Sequence, residues 1–460
     1  MACAFSFFGG EGVRQPWRAN FATRSPAKTF RHHWKGLGLA TTVIANDAPR
    51  QSRRLTLPAF VDSSKLRLLL GTLLYLAQGF PQGIFFYALP AWLIANDQST
   101  EVVAMAVAAA SMPWSFKFLA GRLMDRGSWL PMGRRRPWLV GSQSGIFATL
   151  VVVSILDPLP GQTAMIIGII LTLSILTAVQ DVALDALVVD LTPDEEMGRM
   201  NGYMFAGKVF GIAGGMAITS YLLEHHGLAT AMMGMALFFV IPAGAAVVVR
   251  ERKGEKLLPW TRGERSPDLV VAAGNWIEIL ASTLRNLIKP QRLVVVLVLL
   301  TYGIHQNLID NTNSLFAIRQ LGWTQSEFAN LGAIGNIGMG VFCFLIGGRI
   351  IDRFGPKRVA FWSGIVAFPA MGWYLIDPTL WTDSRLFILW FVSNGIPLYL
   401  FYLVNLVLAM RVTAQEVAAT SFAVFMAFPT LGFTIASAIL PGLEDLGGYQ
   451  AMNCASAALV

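Results

Sequence analysis

The sequence predicts an all-α polytopic membrane protein with two six-helix bundles, and three observations support this fold class. The 460 residues are 55% hydrophobic and only 13% charged, about half the charged fraction of a typical soluble domain. Apolar runs of roughly 20 residues, long enough to cross a bilayer, recur from Leu66 to the C-terminus with short polar breaks. A Gly-x-x-x-Asp-Arg loop motif occurs twice, about half a chain apart. An ordinary soluble enzyme is therefore excluded.

Eleven candidate spans follow one another, with boundaries that hydrophobic periodicity leaves open by roughly two to four residues. A twelfth span would begin near Gly448 and has too few residues before Val460 for a full crossing. Either the sequence is truncated or this last segment is partial. Numbered as spans 1 to 11, the candidates cover residues 66–93, 103–124, 137–156, 163–189, 200–222, 228–249, 293–316, 328–350, 357–376, 386–409 and 417–440.

The distribution of Lys and Arg predicts the orientation, because basic residues in short loops are retained on the cytoplasmic side. The loops after spans 2, 6 and 8 are rich in Lys and Arg, whereas those after spans 1, 3 and 5 have none and those after spans 7 and 9 have only Arg319 and Arg385. The N-terminus is therefore expected to be cytoplasmic. The formal charge of +8 then reflects topology, and we expect no nucleic-acid partner.

Four regions are expected along the chain. Residues 1–62 form a basic extension, interpreted as disordered and cytoplasmic, with an organelle transit peptide or a start codon assigned too early as alternatives. Residues 63–250 form the first bundle, 251–292 a charged linker containing Pro and Gly, and 293–460 the second bundle, whose C-terminus is open to truncation. Cys3, Cys343 and Cys454 lack the spacing of a metal or redox site, so we expect no metal and no cofactor.

The repeated motif reads "GRLMDRGSWLPMGRRR" (121–136) after span 2 and "GRIIDRFGPKR" (348–358) after span 8. An aspartate at a helix end and a basic cluster can latch one bundle to its neighbour by charge-assisted contacts, formed in one conformation and released in the other. Retention of the loops by positive charge alone is the alternative. The latch candidates are Gly121, Asp125, Arg126, Arg134, Arg135, Arg136, Gly348, Asp352, Arg353, Lys357 and Arg358.

At these residues the sequence resembles the major facilitator superfamily, which carries such loops between helices 2 and 3 and between helices 8 and 9. The first copy is longer, with residues 127–132 between Arg126 and Gly133. With "SMPWSFKFLAGRLMD" (111–125), "QDVALDALVVDLTPDEEMGRMNGY" (180–203) and "GKVFGIAGG" (207–215), it is similar to the AmpG-type permeases, a branch that also contains acetyl-CoA transporters. The likeness covers most of the first half, while the second half matches mainly in its loop motif and hydropathy.

Four ionisable residues are predicted to share one layer inside the membrane. Asp181 and Lys208 each lie about nine residues from the loop between spans 4 and 5, which places both about 13 Å inside at the helical rise. Lys117 lies about 12 Å before the end of span 2 at Asp125. Asp185 is one turn from Asp181 on the same face. These charges must pair or face water.

Two interpretations of this layer are open. One is a structural ion-pair cluster between spans 2, 4 and 5. The other is a cavity site, where an aspartate exchanges a proton or neutralises a cationic group while the lysines bind an anionic one. Asp190, at the helix end, is expected to be a solvated carboxylate. The candidates for proton coupling and substrate binding are Gln180, Asp181, Asp185, Lys117, Lys208, Gln78, Gln82, His305 and Asn307.

The last four candidates belong to a second polar layer. Span 1 contributes Gln78 and Gln82, and span 7 contributes His305, Gln306 and Asn307. The resemblance implies that helices 1, 4, 7 and 10 line a central cavity, so these side chains would face substrate; a hydrogen-bonded structural histidine is the alternative for position 305. Span 10 has no charged residue inside, so charge chemistry is expected to be concentrated in the first half.

No GxxxxGK[ST] phosphate loop, HExxH motif or Ser-His-Asp arrangement occurs, so neither ATP-driven pumping nor an enzyme is expected. An aspartyl pair on one helix turn would be poor geometry for an intramembrane enzyme. The resemblance implies a proton-coupled permease that imports an anhydro-muropeptide across the bacterial inner membrane. Its expected partners are a small-molecule solute, protons and the lipid bilayer, and a monomer is expected. The alternatives are a transporter of acyl-CoA or drug-like solutes and a membrane sensor or scaffold that transports nothing.

Overall fold

The computed structural model describes residues 58–125, 131–264, 285, 287–375, 380, 382–413 and 417–459. These residues form helices joined by short turns. Within them, extended pairing is limited to two isolated bridges, Ala59 with Arg250 and Glu255 with Glu264. The all-α fold class is confirmed.

The first half contains spans 1 to 6, in the predicted order. Several helices are interrupted: span 2 at Phe116, and the helix that contains spans 5 and 6 at Gly227, where φ is 78°. Span 1 is Ser64–Gly83 followed by a π-helical turn at Ile84–Ala88 and by Leu89–Ala95; span 2 is Thr100–Ser115 and Lys117–Asp125; span 3 is Arg136–Leu156; span 4 is Thr163–Leu191; and spans 5 and 6 form Met197–Val248.

The second half repeats this plan. Gly447 and Gly448 break the last helix, which separates span 11 from the short twelfth segment. Span 7 is Pro290–Arg319; span 8 is Gln325–Phe342, a π-helical turn at Cys343–Gly347, and Gly348–Phe354; span 9 is Pro356–Leu375; span 10 is Ser384–Val412; and Ala418–Ala457 contains span 11 and the start of span 12. Nine stretches of the described residues are long and apolar enough to cross a membrane, and they include every predicted span except span 9.

Local sequence explains where several helices begin and turn. Ser63 precedes span 1 and its hydroxyl accepts from the Leu66 amide at 3.2 Å. Thr324 and Glu327 form a reciprocal capping box at the start of span 8, which satisfies amides that have no partner inside the helix. Gly355, with φ of 82°, permits the tight turn into span 9, because such a φ is costly for residues with a Cβ. The turn at Gly355 reverses the chain direction between spans 8 and 9.

Within each half, glycines let two helices touch backbone to backbone. A Cβ on Gly79 of span 1 would lie 2.3 Å from the carbonyl oxygen of Lys208, and a Cβ on Gly211 of span 5 would lie 2.3 Å from that of Leu76. Span 7 packs on span 11 in the same way: a Cβ on Gly303 would lie 2.2 Å from the Pro429 carbonyl oxygen. Small residues at helix contacts are typical of membrane bundles. The two halves therefore share one packing plan.

Replacing Gly211 with valine is expected to destabilise the protein by about 1–3 kcal/mol or more, because overpacking forces spans 1 and 5 apart. Thermal unfolding of the purified protein in detergent measures this as a lower midpoint. Gly141→Val is the matched control, since a Cβ at Gly141 meets nothing within 4 Å. Equal midpoints for the two variants would contradict the close packing of spans 1 and 5.

The expected N-terminal extension differs from the structure at its C-terminal edge. Phe60–Asp62 form a 3-10 turn, and Phe60 is 1% exposed, with its amide donating to the Arg250 carbonyl at 2.7 Å. An aromatic side chain buried in the first bundle is not part of a disordered tail, so the prediction is wrong for these three residues. Residues 1–57 and residues 265–284 of the expected linker lie outside the described residues.

Candidate functional site

The predicted layer of charges is centred on an ion pair between spans 2 and 4. Lys117 Nζ lies 2.9 Å from Asp181 Oδ2, and the two side chains are 14% and 5% exposed. The Gln78 side-chain amide of span 1 donates to the other oxygen, Asp181 Oδ1. A buried carboxylate is stable when it has a cation and hydrogen bonds on its oxygens. Lys117 and Asp181, which the helical rise predicted to lie at one depth, therefore contact each other.

Asp185 lies one turn along the same helix and has a different environment. The hydroxyl of Tyr75 donates to Asp185 Oδ1, and Asp185 is 4% exposed. Within the described residues, this phenol is its hydrogen-bond partner and no lysine is within ion-pair distance. Tyr75 was not predicted, because nothing in the sequence relates it to span 4.

Lys208 joins the layer through an aromatic ring. Its Nζ lies 5.4 Å from the centre of the Trp114 ring, and Lys117 Nζ lies 5.9 Å from the same centre. A cation over an indole face is attracted by the ring quadrupole. Of the two lysines and two aspartates in the layer, Lys117 and Asp181 form an ion pair, and Asp185 contacts a phenol. Both lysines lie over the Trp114 indole.

Three other polar residues of the first half have partners inside their own bundle. Gln180 donates to the Leu74 carbonyl at 3.1 Å, and Gln82 donates to the Gln78 carbonyl at 3.3 Å. Asp190 accepts from Arg135 Nε at 2.8 Å and its side chain is 12% exposed. The expectation that Asp190 is solvated is therefore wrong, because Arg135 folds back on the end of span 4.

In the second half, His305 faces the twelfth segment. Its Nδ1 lies 3.0 Å from the Ser456 carbonyl oxygen and 2.9 Å from the Ser456 hydroxyl, and the residue is 1% exposed. This geometry favours the structural interpretation of His305. Asn307 is half-buried, and its side-chain oxygen accepts from Asn311 at 3.0 Å and from Ser437 at 3.4 Å.

A carboxylate missing from the predicted site lies on span 7. Asp310 is exposed, and the Gln306 amide donates to its two oxygens at 2.9 and 3.0 Å. The Tyr302 hydroxyl donates to Gln306 Oε1 at 3.1 Å, so the three residues form a polar row along one helix face. Their i, i+4 spacing was readable in the sequence. Asp310 is thus a charged residue of the second half, whereas the sequence predicted that charge chemistry is concentrated in the first.

Aromatic rings connect the two halves beside this row. The Phe205 ring of span 5 lies 5.7 Å from both Tyr399 and Tyr402 of span 10, and Tyr402 stacks on Tyr302 of span 7 at 5.3 Å. Tyr399 also donates to Asn336 of span 8 at 2.5 Å. Offset aromatic pairs of this kind stabilise the contact between elements. Tyrosines thus line the boundary between the charged layer of the first half and Asp310.

The first copy of the repeated motif contacts the opposite half at what we call the basic end, the end of the molecule that carries Arg134, Arg135 and Arg353. Asp125 lies 2.8 Å from Arg135 and 3.3 Å from Arg134. It also accepts from the backbone amide of Thr420 at 2.7 Å. That amide belongs to the first turn of span 11, where a carboxylate interacts favourably with the helix dipole.

The second copy makes the reciprocal contact. Asp352 accepts from the backbone amides of Gly198 at 2.8 Å and Arg199 at 3.1 Å, and from Arg199 Nε at 2.8 Å. These donors lie at the start of span 5. Cβ atoms on Gly121 and Gly348 would lie 2.6 Å from Ala419 O and Arg199 Cα, so both glycines permit the close approach. We call the Asp125 contact with span 11 and the Asp352 contact with span 5 the two latches.

The other arginines of the first loop build a rigid support. Arg136 donates to backbone carbonyls of the span 6 end and the following segment, among them Ala246 at 3.0 Å and Val247 at 2.6 Å. Glu251 accepts from the backbone amides of residues 134, 135 and 136 at 3.0, 2.7 and 2.6 Å. Burial, with a contribution from Glu255, raises the pKa of the Glu251 carboxyl, and the three amides oppose the rise.

Three other predicted latch residues lie at the same end of the molecule. The side chains of Arg353, Lys357 and Arg358 are exposed at the basic end, and Arg353 lies 5.6 Å from the Phe354 ring. Arg126 lies outside the described residues. In the second copy, Asp352 bonds to donors at the start of span 5 and so contacts the opposite half.

A model of the Major Facilitator Superfamily matches residues 71–437 of the chain. An uncharacterized protein of Haemophilus influenzae is 26% identical over 302 residues, which are 65% of this chain and 67% of that protein. The anhydromuropeptide permease of Escherichia coli is 27% identical over 157 residues, which are 34% of this chain and 31% of the permease. The similarity to the permease thus spans about a third of either protein.

Solved structures share the fold at low sequence identity. The human organic anion transporter TETRAN superposes with a TM-score of 0.63 at 13% identity and covers 85% of this chain and 96% of its own. The transporter FucP in its outward conformation gives 0.62 at 12% identity, covering 85% and 95%. The proton:xylose symporter XylE gives 0.58 at 13% identity, covering 85% and 93%. At such identities the likeness extends to the fold alone.

Proposed function

The chain belongs to the major facilitator superfamily, and from that premise we propose that it is a proton-coupled secondary transporter that imports an anhydro-muropeptide-like solute by alternating access. The proposal rests on the different partners of the two carboxylates of span 4. Asp181 contacts a lysine, whereas Asp185 contacts a phenol. A carboxylate that has no cation at contact distance in an apolar helix bundle is suited to bind and release a proton.

In the proposed cycle, Asp181 stays ionised against Lys117, and Asp185 carries the proton. Loss of that proton places a second negative charge one turn from the first. Two such charges attract the nearby ammonium groups of Lys117 and Lys208, which lie over one indole ring. A shift of Lys117 moves span 2 relative to span 4, and a shift of Lys208 moves span 5. Span 2 ends at Asp125 and span 5 begins at the donors to Asp352, so each of these two helices forms part of a latch. Protonation and gating are coupled in this way.

The latches supply the gate. In the proposed orientation the basic end is cytoplasmic, the N-terminus is on the same side, and the protein is a monomer in a bacterial inner membrane. Asp125 and Asp352 close that end while solute enters from the other. Release to the cytoplasm requires both aspartates to leave the helix starts that they cap. Each bond to a charged acceptor contributes about 1.5–3 kcal/mol, which is enough to bias a two-state equilibrium.

The proposed solute rests on the permease relative, whose alignment covers about a third of this chain. A transporter of acyl-CoA or drug-like solutes is the alternative within the same fold, and a sensor or scaffold is the alternative outside transport. Uptake experiments separate these three cases.

Asp185→Asn is expected to abolish accumulation of labelled anhydro-muropeptide driven by a proton gradient in proteoliposomes, while leaving exchange of internal for external solute measurable. The amide keeps the shape of the carboxyl but cannot carry the proton. Asp97→Asn is the matched control, because Asp97 is exposed in a loop with φ of 58°, a conformation that Asn also accepts.

Each result has a defined consequence. Accumulation by the natural chain without need of a gradient would remove the coupling. Full gradient-driven accumulation by Asp185→Asn would remove Asp185 as the carrier. Absence of uptake by a natural chain that elutes as a single folded species would remove the muropeptide and favour the alternative solutes.

A further inference from the structure

We propose that Lys208 and Asp310 form the two charged ends of one solute site, which recognises an extended zwitterion with an anionic group at Lys208 and an ammonium group at Asp310. The inference rests on the proposed function and specifies the charge pattern of the solute. It places a negative charge of the site on span 7, where the sequence predicted His305, Gln306 and Asn307 as the side chains that face substrate.

Among the residues that the structure describes, no carboxylate lies within ion-pair distance of Lys208. Its Nζ lies over the Trp114 ring at 5.4 Å, and it is half-buried. Among the described residues, the aspartate beside it is already bonded to Lys117 at 2.9 Å and to Gln78. A desolvated ammonium on an indole face gains little from water, so an anionic solute group is the partner that its environment leaves open.

Asp310 is a carboxylate whose surroundings leave it open to a cationic group. The carboxylate accepts from the neutral Gln306 amide at 2.9 and 3.0 Å, and in the described part of the chain no cation lies within ion-pair distance. It is exposed at the end of the row that begins at Tyr302, whose hydroxyl donates to the same Gln306 side chain at 3.1 Å. An open carboxylate at the end of this row suits an ammonium group, which can pair with the charge while the body of the solute lies toward the aromatic rings.

The two charges lie along one continuous wall. Lys208 follows Phe205 by one helical turn on span 5, and the Phe205 ring lies 5.7 Å from Tyr402. Tyr402 stacks on Tyr302 at 5.3 Å, and Tyr302 begins the row that ends at Asp310. Aromatic faces between two charged ends provide apolar surface for the body of a solute. The wall combines both bundles, so a solute bound along it contacts both moving halves.

The spacing of the charges selects the size of the solute. Tyr302 and Phe205 are level, because both contact Tyr402. Asp310 is eight residues beyond Tyr302 and Lys208 three residues beyond Phe205, so Asp310 lies about 8 Å farther along the helix axes. The lateral distance between spans 5 and 7 adds to this separation. Such a site is too long for the ammonium and carboxylate of one free amino acid and fits a peptide-bearing solute.

The test uses three forms of one probe as competitors of labelled uptake into proteoliposomes. The first is an anhydro-muropeptide whose peptide carries a free amine and free carboxylates, the second is the same molecule N-acetylated at the amine, and the third has its carboxylates converted to amides. For the natural chain we expect the first form to compete about tenfold or more better than either modified form. A free amino acid is expected not to compete.

Variants assign each preference to one residue. In Asp310→Asn the preference for the free amine is expected to fall toward onefold, while the preference for free carboxylates remains. In Lys208→Gln the reverse is expected. Because Lys208 also takes part in the proposed gating, the preferences of all variants are read from exchange of internal for external labelled solute without a proton gradient, and from competition for binding to the purified protein where exchange is lost. Asp310→Glu and Lys208→Arg keep the charges and are expected to restore discrimination, which a purely structural role would not do.

The outcomes separate this inference from the proposed function. Uptake by the natural chain with no preference between the free and acetylated amine would overturn the zwitterion site and leave the muropeptide transporter standing. Equal loss of both preferences in each variant would also overturn it, because the two residues would then act on the fold and not on the solute. No uptake of any probe form would remove the proposed function itself.

Discussion

Replacing Lys117 with methionine is expected to abolish solute uptake and to destabilise the protein by about 3–5 kcal/mol, the usual cost of removing one partner of a buried ion pair. Asp181 would keep its charge with a side chain only 5% exposed. The Gln78 amide would be its remaining hydrogen-bond donor in the described part of the chain. Thermal unfolding in detergent and uptake into proteoliposomes measure the two effects.

A double variant separates charge from shape. Lys117→Met with Asp181→Asn removes both charges, so stability is expected to return toward that of the natural chain while uptake does not return. Lys253→Met is the control, because Lys253 pairs with Asp62 at 3.2 Å on the surface and is 79% exposed; such pairs contribute about 0–1 kcal/mol. A Lys117→Met protein as stable as this control would show that the pair is not buried.

The layer of charges was predictable because helical rise converts residue counts into depth. Counting from the loops placed Lys117, Asp181 and Lys208 at one level, and the first two are in contact. Depth does not specify rotation or partner, however. Asp185 therefore binds Tyr75 of span 1, a residue of ordinary type in an apolar run, which no spacing rule singles out.

At the two latches the sequence predicted the acceptors but not the donors that bind them. The repeated Gly-x-x-x-Asp-Arg pattern predicted which aspartates contact the opposite half, but their partners there include the backbone amides of Thr420 and Gly198. A backbone donor has no residue identity, so a single sequence contains no signal for it. The roles of the first-loop arginines were reassigned for the same reason: Arg136 binds carbonyl oxygens, which every residue possesses.

Polar residues of span 7 were harder to place than those of span 4. A helix in a bundle packs against several neighbours, and periodicity alone does not say which neighbour a given residue contacts. The sequence left open whether His305 faces solute or is a hydrogen-bonded structural histidine, and its contact with Ser456, beyond the break at Gly448, favours the second interpretation. Asp310 was overlooked although it continues the row of Tyr302 and Gln306.

Asp352→Asn is expected to open the basic end and to lower uptake. Asparagine would present an amide group to the Gly198 and Arg199 backbone donors and would lose the charge that pairs with Arg199 Nε. Spin labels at the exposed positions 195 and 358, in a chain whose native cysteines are replaced by alanine, would report the change as a longer distance between the halves. Asp383→Asn is the matched control, since this exposed aspartate likewise caps a helix start, by accepting from the Arg385 amide at 2.8 Å, but that helix belongs to its own half.

The double variant Asp125→Asn, Asp352→Asn is the more decisive experiment, because both latches act on one equilibrium. If each latch contributes about 2 kcal/mol to the closed state, each loss multiplies the open population by roughly 30-fold and both losses by roughly 1,000-fold. A closed state favoured by more than one latch keeps most of its population after either single change, whereas the loss of both latches shifts it to the open state. We therefore expect a partial long-distance population in Asp352→Asn and predominantly long distances only in the double variant. Short distances in all three variants would mean that packing at Gly121 and Gly348, and not the aspartates, closes the basic end.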